Sequence, residues 1–265
     1  MNYVIGSGWY CSESKDERKI KYGDDIIRSA QFANLWYESI VDNTKPEKIF
    51  IVDSNSPIKN PLKKDNIEHC KLTINAGHAT NLFGDKYCGW SRSVLLSLMY
   101  ARFCDADYFV YIEQDVLIHG SGIIEHIIEK SNGADYIFDI SKDFPQPLQQ
   151  SFFIIKNTKF DEFINRFMAI QYSDSQISCE MKFAICTSKL YSFIPKFLFF
   201  KPKNKSYLKR IISRIQVLAS RKVACFSTMA INGGRDRPIN FENEYIYFQH
   251  GSELELEKFI ETTKK

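Results

Sequence analysis

The sequence has 265 residues, of which 44% are hydrophobic, 14% aromatic and 25% charged, with a net charge of +3. This composition is typical of a globular chain and excludes intrinsic disorder as its general state. We see no run of about 18 apolar residues and no signal peptide pattern, so we expect no membrane span and a cytoplasmic protein. The seven cysteines form no CxxC pair, which disfavours a zinc site and fits reduced thiols.

Strands and helices alternate through the first half of the chain. Apolar runs predict strands at 3–5, 48–52, 70–74, 108–112, 135–139 and 151–155. Helical spacing predicts helices at 26–40, 91–103, 122–130 and 159–170, and Ser91 is expected to be the N-cap of the second. This alternation is typical of an α/β fold with a mainly parallel sheet and helices on both faces. We expect one domain over residues 1–265.

Polar residues follow three of the predicted strands, at Gly6-Ser7-Gly8, Asp53-Ser54-Asn55 and Glu113-Gln114-Asp115. Parallel sheets bind ligands beyond the carboxyl ends of their strands, so these groups are expected to share one binding edge. Two carboxylates spaced i, i+2 in a turn offer the oxygen ligands that Mg²⁺ or Mn²⁺ prefers. The alternative is that both acids only solvate a strand end.

Four stretches of the sequence resemble GT-A glycosyltransferases. The segment ADYFVYIEQDVLI, residues 106–118, is similar to the part of that family that carries its DxD metal motif. Further similarity lies in residues 50–56, in Gly89-Trp90-Ser91-Arg92-Ser93 with the helix after it, and in residues 245–251. The resemblance covers most of residues 1–170 and returns at 230–251.

The resemblance implies a GT-A-like, Rossmann-type fold and a glycosyltransferase of hexosyltransferase type. It implies a nucleotide-sugar donor, first of all a UDP-sugar, together with Mn²⁺ or Mg²⁺. The acceptor would be a glycan or a lipid-linked glycan, as in surface polysaccharide biosynthesis. Residues 1–120 would form the nucleotide-sugar-binding half, and residues 121–265 the acceptor-binding half with a basic helical segment at about 195–225.

Carried over by position, the family pattern assigns roles to individual residues. Asp115 and His250 would bind the metal. Glu113 stands at the place of the first aspartate, near ribose and metal, but it is one methylene longer, which puts its direct metal contact in question. The other predicted donor contacts are Gly6, Ser7, Asp53, His78, Arg92, Gln114, Arg235 and Arg237.

Several of these donor contacts have a plain structural alternative. Asp53 is equally consistent with an Asx turn, and His78 with a loop histidine that has a backbone partner. Arg92 would favour an anion at a helix N-terminus or be a surface arginine. The loop that carries Arg235 and Arg237 would close over a diphosphate or be a solvated turn.

Inverting sugar transfer needs a carboxylate base within hydrogen-bond reach of the acceptor hydroxyl. Glu180 lies where the family often places such a base, and Asp236 and Asp174 are alternatives. An acid at a helix start is also a common partner of the helix dipole. Retaining transfer needs no such base, and the sequence leaves the stereochemistry open.

The chain has no acid between Glu180 and Asp236 but many basic residues. A predicted helix at 206–220 carries five apolar residues at helical spacing beside basic ones, namely Leu208, Ile211, Ile212, Ile215 and Leu218. A basic amphipathic helix suits the inner face of an anionic cytoplasmic membrane. The alternative is a helix that packs its apolar side on the core and leaves a solvated basic side.

Two other classes of function stay open at this point. A nucleotidyltransferase also uses a nucleotide and a metal, although Gly6-Ser7-Gly8 is short and lacks a lysine. A non-catalytic basic module on a transferase-like scaffold would bind a membrane or nucleic acid. We do not expect nucleic acid as a partner, because the net charge of +3 is small and acids surround the basic segment.

Overall fold

The structure is a computed structural model that describes residues 1–12, 22–79, 81–82, 86–142, 146–201 and 207–263. The predicted start of the basic helix at 206, and residues 202–205 of the predicted basic segment, lie outside these ranges. Within the described residues no helix has the length and apolar character needed to cross a bilayer.

The described residues contain twelve strands and seven α-helices. The strands are β1 (Tyr3–Trp9), β2 (Lys48–Asp53), β3 (Ile67–Lys71), β4 (Gly77–His78), β5 (Asn81–Leu82), β6 (Tyr108–Ile112), β7 (Val116–His119), β8 (Tyr136–Asp139), β9 (Gln149–Lys156), β10 (Ser227–Thr228), β11 (Asn232–Gly234) and β12 (Ile246–Gln249). The helices are α1 (Phe32–Val41), α2 (Gly89–Phe103), α3 (Ile123–Lys130), α4 (Phe160–Ala169), α5 (Cys179–Thr187), α6 (Tyr207–Val223) and α7 (Glu253–Thr263). Short 3₁₀ turns lie at Asp25–Arg28, Asn157–Lys159, Tyr191–Phe193 and Lys196–Phe199.

A seven-stranded sheet forms the centre of the fold, in the order β10-β8-β9-β6-β1-β2-β3. Strand β9 runs antiparallel to both of its neighbours, β6 and β8, and the other pairs in the sheet are parallel. The mainly parallel α/β sheet predicted from the sequence is therefore confirmed. The carboxyl ends of the six co-directed strands meet at one edge, where such sheets bind ligands.

A smaller sheet stands at this edge, in the order β11-β12-β7. Its strand β7 begins one turn after β6, and β12 pairs with it in antiparallel register, so that Gln249 lies opposite Val116. Neither β7 nor its pairing with β12 was predicted from the sequence. The small sheet brings the C-terminal part of the chain back to the end of β6.

Helices cover both faces of the large sheet. One buried apolar cluster joins α1, α3 and α7 to one face, through residues such as Trp36, Ile127 and Phe259. A second cluster joins α2, α4 and α5 to the other face, through residues such as Leu98 and Phe163. Because alternate residues of a strand point to opposite faces, strands buried on both sides read as continuous apolar runs.

Several predicted boundaries differ from the structure. The predicted strand 70–74 lies three residues too late, since β3 spans Ile67–Lys71. The predicted helix 26–40 is a 3₁₀ turn at Asp25–Arg28 followed by α1. Ser91 is not an N-cap but a buried residue inside α2, whose N-cap is Cys88. A carboxylate oxygen of Asp174 accepts a hydrogen bond from the Cys88 backbone N–H at 2.7 Å, so a distant residue supplies the cap.

The stretch Gly6-Ser7-Gly8 was predicted to close the first strand. It lies inside β1 instead. A Cβ on Gly6 would be 2.4 Å from Ser97 Oγ, and one on Gly8 would be 2.7 Å from Ser93 Oγ. Both glycines thus allow α2 to approach the sheet closely. Packing against α2 accounts for both glycines, and the predicted contact of Gly6 with a donor stays a prediction.

Asp139 and Tyr247 link the two sheets. The Tyr247 hydroxyl donates to Asp139 Oδ2 at 2.5 Å, and the Ile140 backbone N–H donates to Oδ1 at 2.8 Å. Burial raises the pKa of Asp139 to about 6, and the negative charge of Asp236 acts in the same direction. The folded state therefore favours the protonated form, and the stability that Asp139 contributes is lost as pH rises through about 6.

We expect Asp139→Asn to remove part of the pH dependence of stability. An unfolded aspartate has a pKa of about 3.9, so the unchanged protein should lose about 1 kcal/mol relative to the variant between about pH 5 and about pH 7.5. Urea unfolding of both proteins at the two pH values measures this difference. Parallel pH profiles for the two proteins would contradict the assignment.

Candidate functional site

The predicted pair of acids lies in the turn that joins the two sheets. Glu113 directly follows β6, and its backbone N–H donates to the Ser151 carbonyl on β9 at 2.8 Å. Asp115 directly precedes β7, and the turn closes through a 3.1 Å bond from the Val116 N–H to the Glu113 carbonyl. The turn is therefore fixed by backbone bonds on both sides, and it holds the two side chains at the carboxyl edge of the large sheet.

The end of β12 brings two further side chains to these acids. The Gln249 amide donates hydrogen bonds to Glu113 Oε2 and, at 3.0 Å, to Asp115 Oδ1. His250 places its Nε2 3.5 Å from Asp115 Oδ2. The structure thus brings His250 to the turn of Glu113 and Asp115, which lies more than 130 residues earlier in the chain.

The backbone at His250 has φ +61°, a left-handed conformation that few non-glycine residues adopt. Tyr22 stacks on the imidazole with ring centroids 5.2 Å apart. The Asp24 backbone N–H donates to the Gly251 carbonyl at 3.1 Å, which attaches this N-terminal segment to the same turn. Left-handed residues held by their surroundings cluster at functional sites.

The electrostatics of the site suit a bound cation. Burial raises the pKa of Glu113 to about 8, and the neighbouring Asp115 carboxylate adds to the rise, while Arg235 opposes it. Burial lowers the pKa of His250 to about 4. The imidazole is therefore neutral near pH 7, which is the form that binds a metal ion.

The donor atoms of Asp115 and His250 fit one divalent cation. They offer a carboxylate oxygen and an imidazole nitrogen 3.5 Å apart, a spacing that two ligands of one ion can adopt. Glu113 does not complete a compact trio with them, since among the described residues only Cys88, Asp174 and Cys179 form a group of three or more donors within 4.8 Å. The Gln249 amide lies between the two carboxylates instead.

A chain of hydrogen bonds connects the acids to the predicted base. Arg235 donates from Nε to Gln249 Oε1 at 2.8 Å and from Nη1 to Gln146 Oε1 at 3.1 Å. The Gln146 amide in turn donates to Glu180 Oε1 at 2.8 Å. Glu180 stands in the first turn of α5, where Ser178 caps the helix through the Met181 N–H. The sequence analysis did not identify Gln146 or Gln249, because neutral amides give no pattern in charge or spacing.

Two predicted site residues, Arg237 and Asp236, have structural partners around the loop between β11 and β12. Arg237 forms an ion pair with Glu255 at 2.5 Å and donates to the Gln249 carbonyl at 2.7 Å. Asp236 accepts hydrogen bonds from Ser141 Oγ and, at 3.1 Å, from the Lys142 backbone N–H. Both interactions fix the loop between β11 and β12, and the roles predicted for Arg237 and Asp236 stay predictions.

Three residues predicted to contact the donor, Asp53, Ser7 and Gln114, lie along the same edge. Asp53 accepts a bond from the Ser56 backbone N–H at 2.7 Å, which is the Asx-turn alternative. Gln114 pairs with both backbone groups of Tyr10, at 2.8 and 3.2 Å. Ser7 and Gln114 line the same small cavity. These contacts do not test the predicted roles in donor binding.

Two further predicted donor contacts, Arg92 and His78, lie near the start of α2. Arg92 donates from Nε to the Tyr87 carbonyl at 3.0 Å. His78 is exposed on the two-stranded β4–β5 hairpin. The donor contacts of both residues stay predictions.

Asp174, the third candidate base, is fully buried and forms an ion pair with the fully buried Lys182 at 2.7 Å. Lys182 belongs to the basic third of the chain, and its burial was not predicted from the sequence. The Lys182 ammonium also lies 5.4 Å from the Phe167 ring centroid. Since both oxygens of Asp174 have partners in the core, Asp174 is a structural residue here and does not reach the site.

We expect Lys182→Met to destabilise the protein by about 3–5 kcal/mol, because it leaves the Asp174 carboxylate buried without its counter-charge. Adding Asp174→Asn should recover most of that loss. Urea unfolding of the single and double variants measures both effects.

The matched control is Lys48→Met, which breaks the partly exposed 3.2 Å pair with Glu68 and should cost less than about 1 kcal/mol. Equal destabilisation in the single and double Lys182 variants would show that the buried charge is not the cause.

Comparisons with known proteins concern the fold. No protein-family model and no curated protein matches the sequence. Among solved structures, S. aureus TarS in complex with UDP is 11% identical and aligns over 99% of this chain and 64% of its own, with a TM-score of 0.42. A second alignment, to TarS in complex with UDP-GlcNAc, spans 35% of that chain, so this chain spans between about a third and two thirds of TarS.

Two other structures align over most of this chain. The mannosyltransferase PcManGT from Pyrobaculum calidifontis, in complex with GDP-Man and Mn²⁺, is 10% identical over 85% of this chain and 65% of its own, with a TM-score of 0.46. HddC from Yersinia pseudotuberculosis is 11% identical over 98% of both chains, with a TM-score of 0.42. The structural neighbours thus include nucleotide-sugar glycosyltransferases, as the sequence resemblance predicted, and the likeness is one of fold alone.

Proposed function

We propose that this protein is a metal-dependent glycosyltransferase that moves a sugar from a nucleotide-sugar donor to a glycan or lipid-linked glycan. One observation carries the proposal. Two carboxylates at the carboxyl edge of a mainly parallel sheet lie beside a neutral histidine and an arginine, in a place where such sheets bind nucleotides. The carboxylates attract a cation, and the cation with the arginine suits a diphosphate.

In this proposal Asp115 and His250 hold the divalent cation, with Glu113 next to it. The cation, Mn²⁺ or Mg²⁺, supplies positive charge that stabilises the leaving nucleoside diphosphate. Arg235 adds a second positive charge from the β11–β12 loop, and its two hydrogen bonds to Gln249 and Gln146 hold the guanidinium in place. Such preorganised charge is a large contribution to transfer reactions.

Glu180 is the proposed base for an inverting transfer. Its carboxylate accepts a hydrogen bond from Gln146, and its negative charge raises the pKa of Glu113. Asp236 stays the second candidate, and would have to leave its bonds to Ser141 and Lys142 first. On the donor side we propose contacts from Gly6, Ser7, Asp53, His78, Arg92, Gln114 and Arg237, with a UDP-sugar as the first candidate.

The proposed setting is surface polysaccharide biosynthesis in the cytoplasm or on the inner face of the cytoplasmic membrane. The donors of two structural neighbours, UDP-GlcNAc and GDP-Man, define the first compounds to test. They do not select between the nucleotides for this chain.

We expect one nucleotide sugar to bind in the presence of Mn²⁺ and not in the presence of EDTA. Isothermal titration calorimetry with a panel of UDP-, GDP-, CMP- and dTDP-sugars measures this. Asp115→Asn should weaken metal-dependent donor binding by about 100-fold or more, because it removes a metal ligand and a charge. Thermal unfolding in the presence and absence of Mn²⁺ gives a second measure that is independent of turnover.

The control is Asp105→Asn, which removes the same charge from an exposed aspartate. It should leave donor binding unchanged. Binding of a nucleoside triphosphate and release of diphosphate would favour a nucleotidyltransferase instead. Binding of no nucleotide by the folded, metal-loaded protein would overturn the proposal in favour of a basic binding module.

A further inference from the structure

The apolar stripe of α6 faces solvent. Leu208 is 71% exposed and Ile215 is 59% exposed, and Ile211, Ile212 and Leu218 are exposed as well. An amphipathic helix on a globular protein normally turns this stripe to the core. Here another side of α6, with Val217 and Ser220, packs against the domain. The alternative predicted from the sequence, a core-packed stripe with a solvated basic side, is therefore wrong.

The exposed apolar surface continues into the two 3₁₀ turns before α6. Phe193 is 83% exposed, and Leu190, Phe197 and Leu198 are more than half exposed. The Gln216 amide on α6 donates to the Leu198 and Phe200 carbonyls, at 2.7 and 2.8 Å, and so joins the second turn to the helix. We call the described residues 189–201 and 207–222 the basic apolar face. Apolar patches of this extent on a single chain mark an interaction site.

The charges on this face are all of one sign. Residues 181–235 contain no aspartate or glutamate. Exposed cations flank the apolar stripe at Lys189, Arg210, Arg214 and Lys222. A second copy of the same face would oppose cation to cation, whereas an anionic surface matches both the charge and the apolar side chains.

We propose that the basic apolar face binds the surface of an anionic lipid bilayer. The apolar side chains of α6 and the 3₁₀ turns insert among the lipids, and the flanking cations contact the anionic headgroups. Each basic residue near such a surface contributes about 1 kcal/mol. The helix lies in the plane of the interface and does not cross it.

The face lies next to the candidate site. Arg221, on α6, donates two hydrogen bonds to the Gln146 carbonyl, at 3.0 and 2.7 Å. The side chain of Gln146 contacts both Arg235 and Glu180. A docked protein therefore holds the candidate site close to the bilayer, where an acceptor with a lipid anchor lies. The lipid-binding proposal rests on the surface alone and goes beyond the proposed sugar transfer.

Vesicle cosedimentation tests the proposal with the full chain. We expect binding to vesicles of phosphatidylcholine with about 30% phosphatidylglycerol, weakening with added salt, and little binding to pure phosphatidylcholine. Leu208→Gln with Ile215→Gln, and separately Arg210→Gln with Arg214→Gln, should each weaken binding at least about tenfold. Donor binding by calorimetry should not change in these variants, so the two proposals fail separately.

Matched controls are available on other surfaces of the chain. Phe103→Gln removes an apolar side chain that is 80% exposed at the end of α2, and Lys59→Gln with Lys63→Gln removes two exposed cations. Both should bind vesicles like the unchanged protein.

Three results would overturn the proposal. They are absence of binding to anionic vesicles, equal binding to neutral and anionic vesicles, and binding that the face variants and the controls affect alike. Sedimentation velocity tests whether a second copy of the chain, and not a membrane, covers the face. If the protein does not bind vesicles but forms a dimer that the face variants abolish, the face joins two copies of the chain.

Discussion

The carboxylates of Glu113 and Asp115 repel each other at the end of β6, and much of the surrounding structure offsets that repulsion. The Gln249 amide donates to both, and Arg235 reaches them through the other end of the same amide. Burial and repulsion together raise the pKa of Glu113 to about 8, so near pH 7 a proton, and not a side chain, neutralises this carboxyl group. A bound cation can replace that proton. A site with unbalanced negative charge favours a cation, and this is the physical basis of the proposed chemistry.

The small sheet brings partners for this pair of acids from a distant part of the chain. Strand β7 continues directly from the acidic turn, and β12 pairs with it, which places Gln249 and His250 on the carboxylates. Other polar contacts then hold the small sheet in place. Tyr247 bonds to Asp139 on the large sheet, and Arg237 pairs with Glu255 at the start of α7. Some polar and charged residues near the site thus contact the acids, and others hold the small sheet that carries those contacts.

The candidate site and the basic apolar face are neighbours in the structure. Gln146 links them, since its carbonyl accepts from α6 and its side chain contacts Arg235 and Glu180. The adjacent face has no acids between Glu180 and Asp236 to balance its basic residues, so a small net charge of +3 hides a strongly basic surface. An enzyme that joins a water-soluble, anionic donor to a membrane-anchored acceptor would need both surfaces close together.

The sequence by itself determined the strands that are buried on both sides. Residues 108–112 form a continuous apolar run ended by acids, and β6 has these same bounds. Edge strand β3 was displaced in the prediction, because most of its residues are exposed and its polar side chains hide the pattern. The sequence predicted the acids, His250 and Arg235, because they are charged or metal-binding residue types in the order of the family pattern. Gln146 and Gln249 carry no charge and gave no signal.

Tertiary structure alone decided the remaining features, because they depend on which surfaces meet. The cap of α2 comes from Asp174, 86 residues away, so no local pattern at Ser91 could reveal it. In the sequence, Lys182 looks like any surface cation. In the structure it pairs with Asp174 in the core. The apolar stripe of α6 has the same spacing whether it faces the core or solvent. Only the packing of another side of the helix, through Val217 and Ser220, turns that stripe outward.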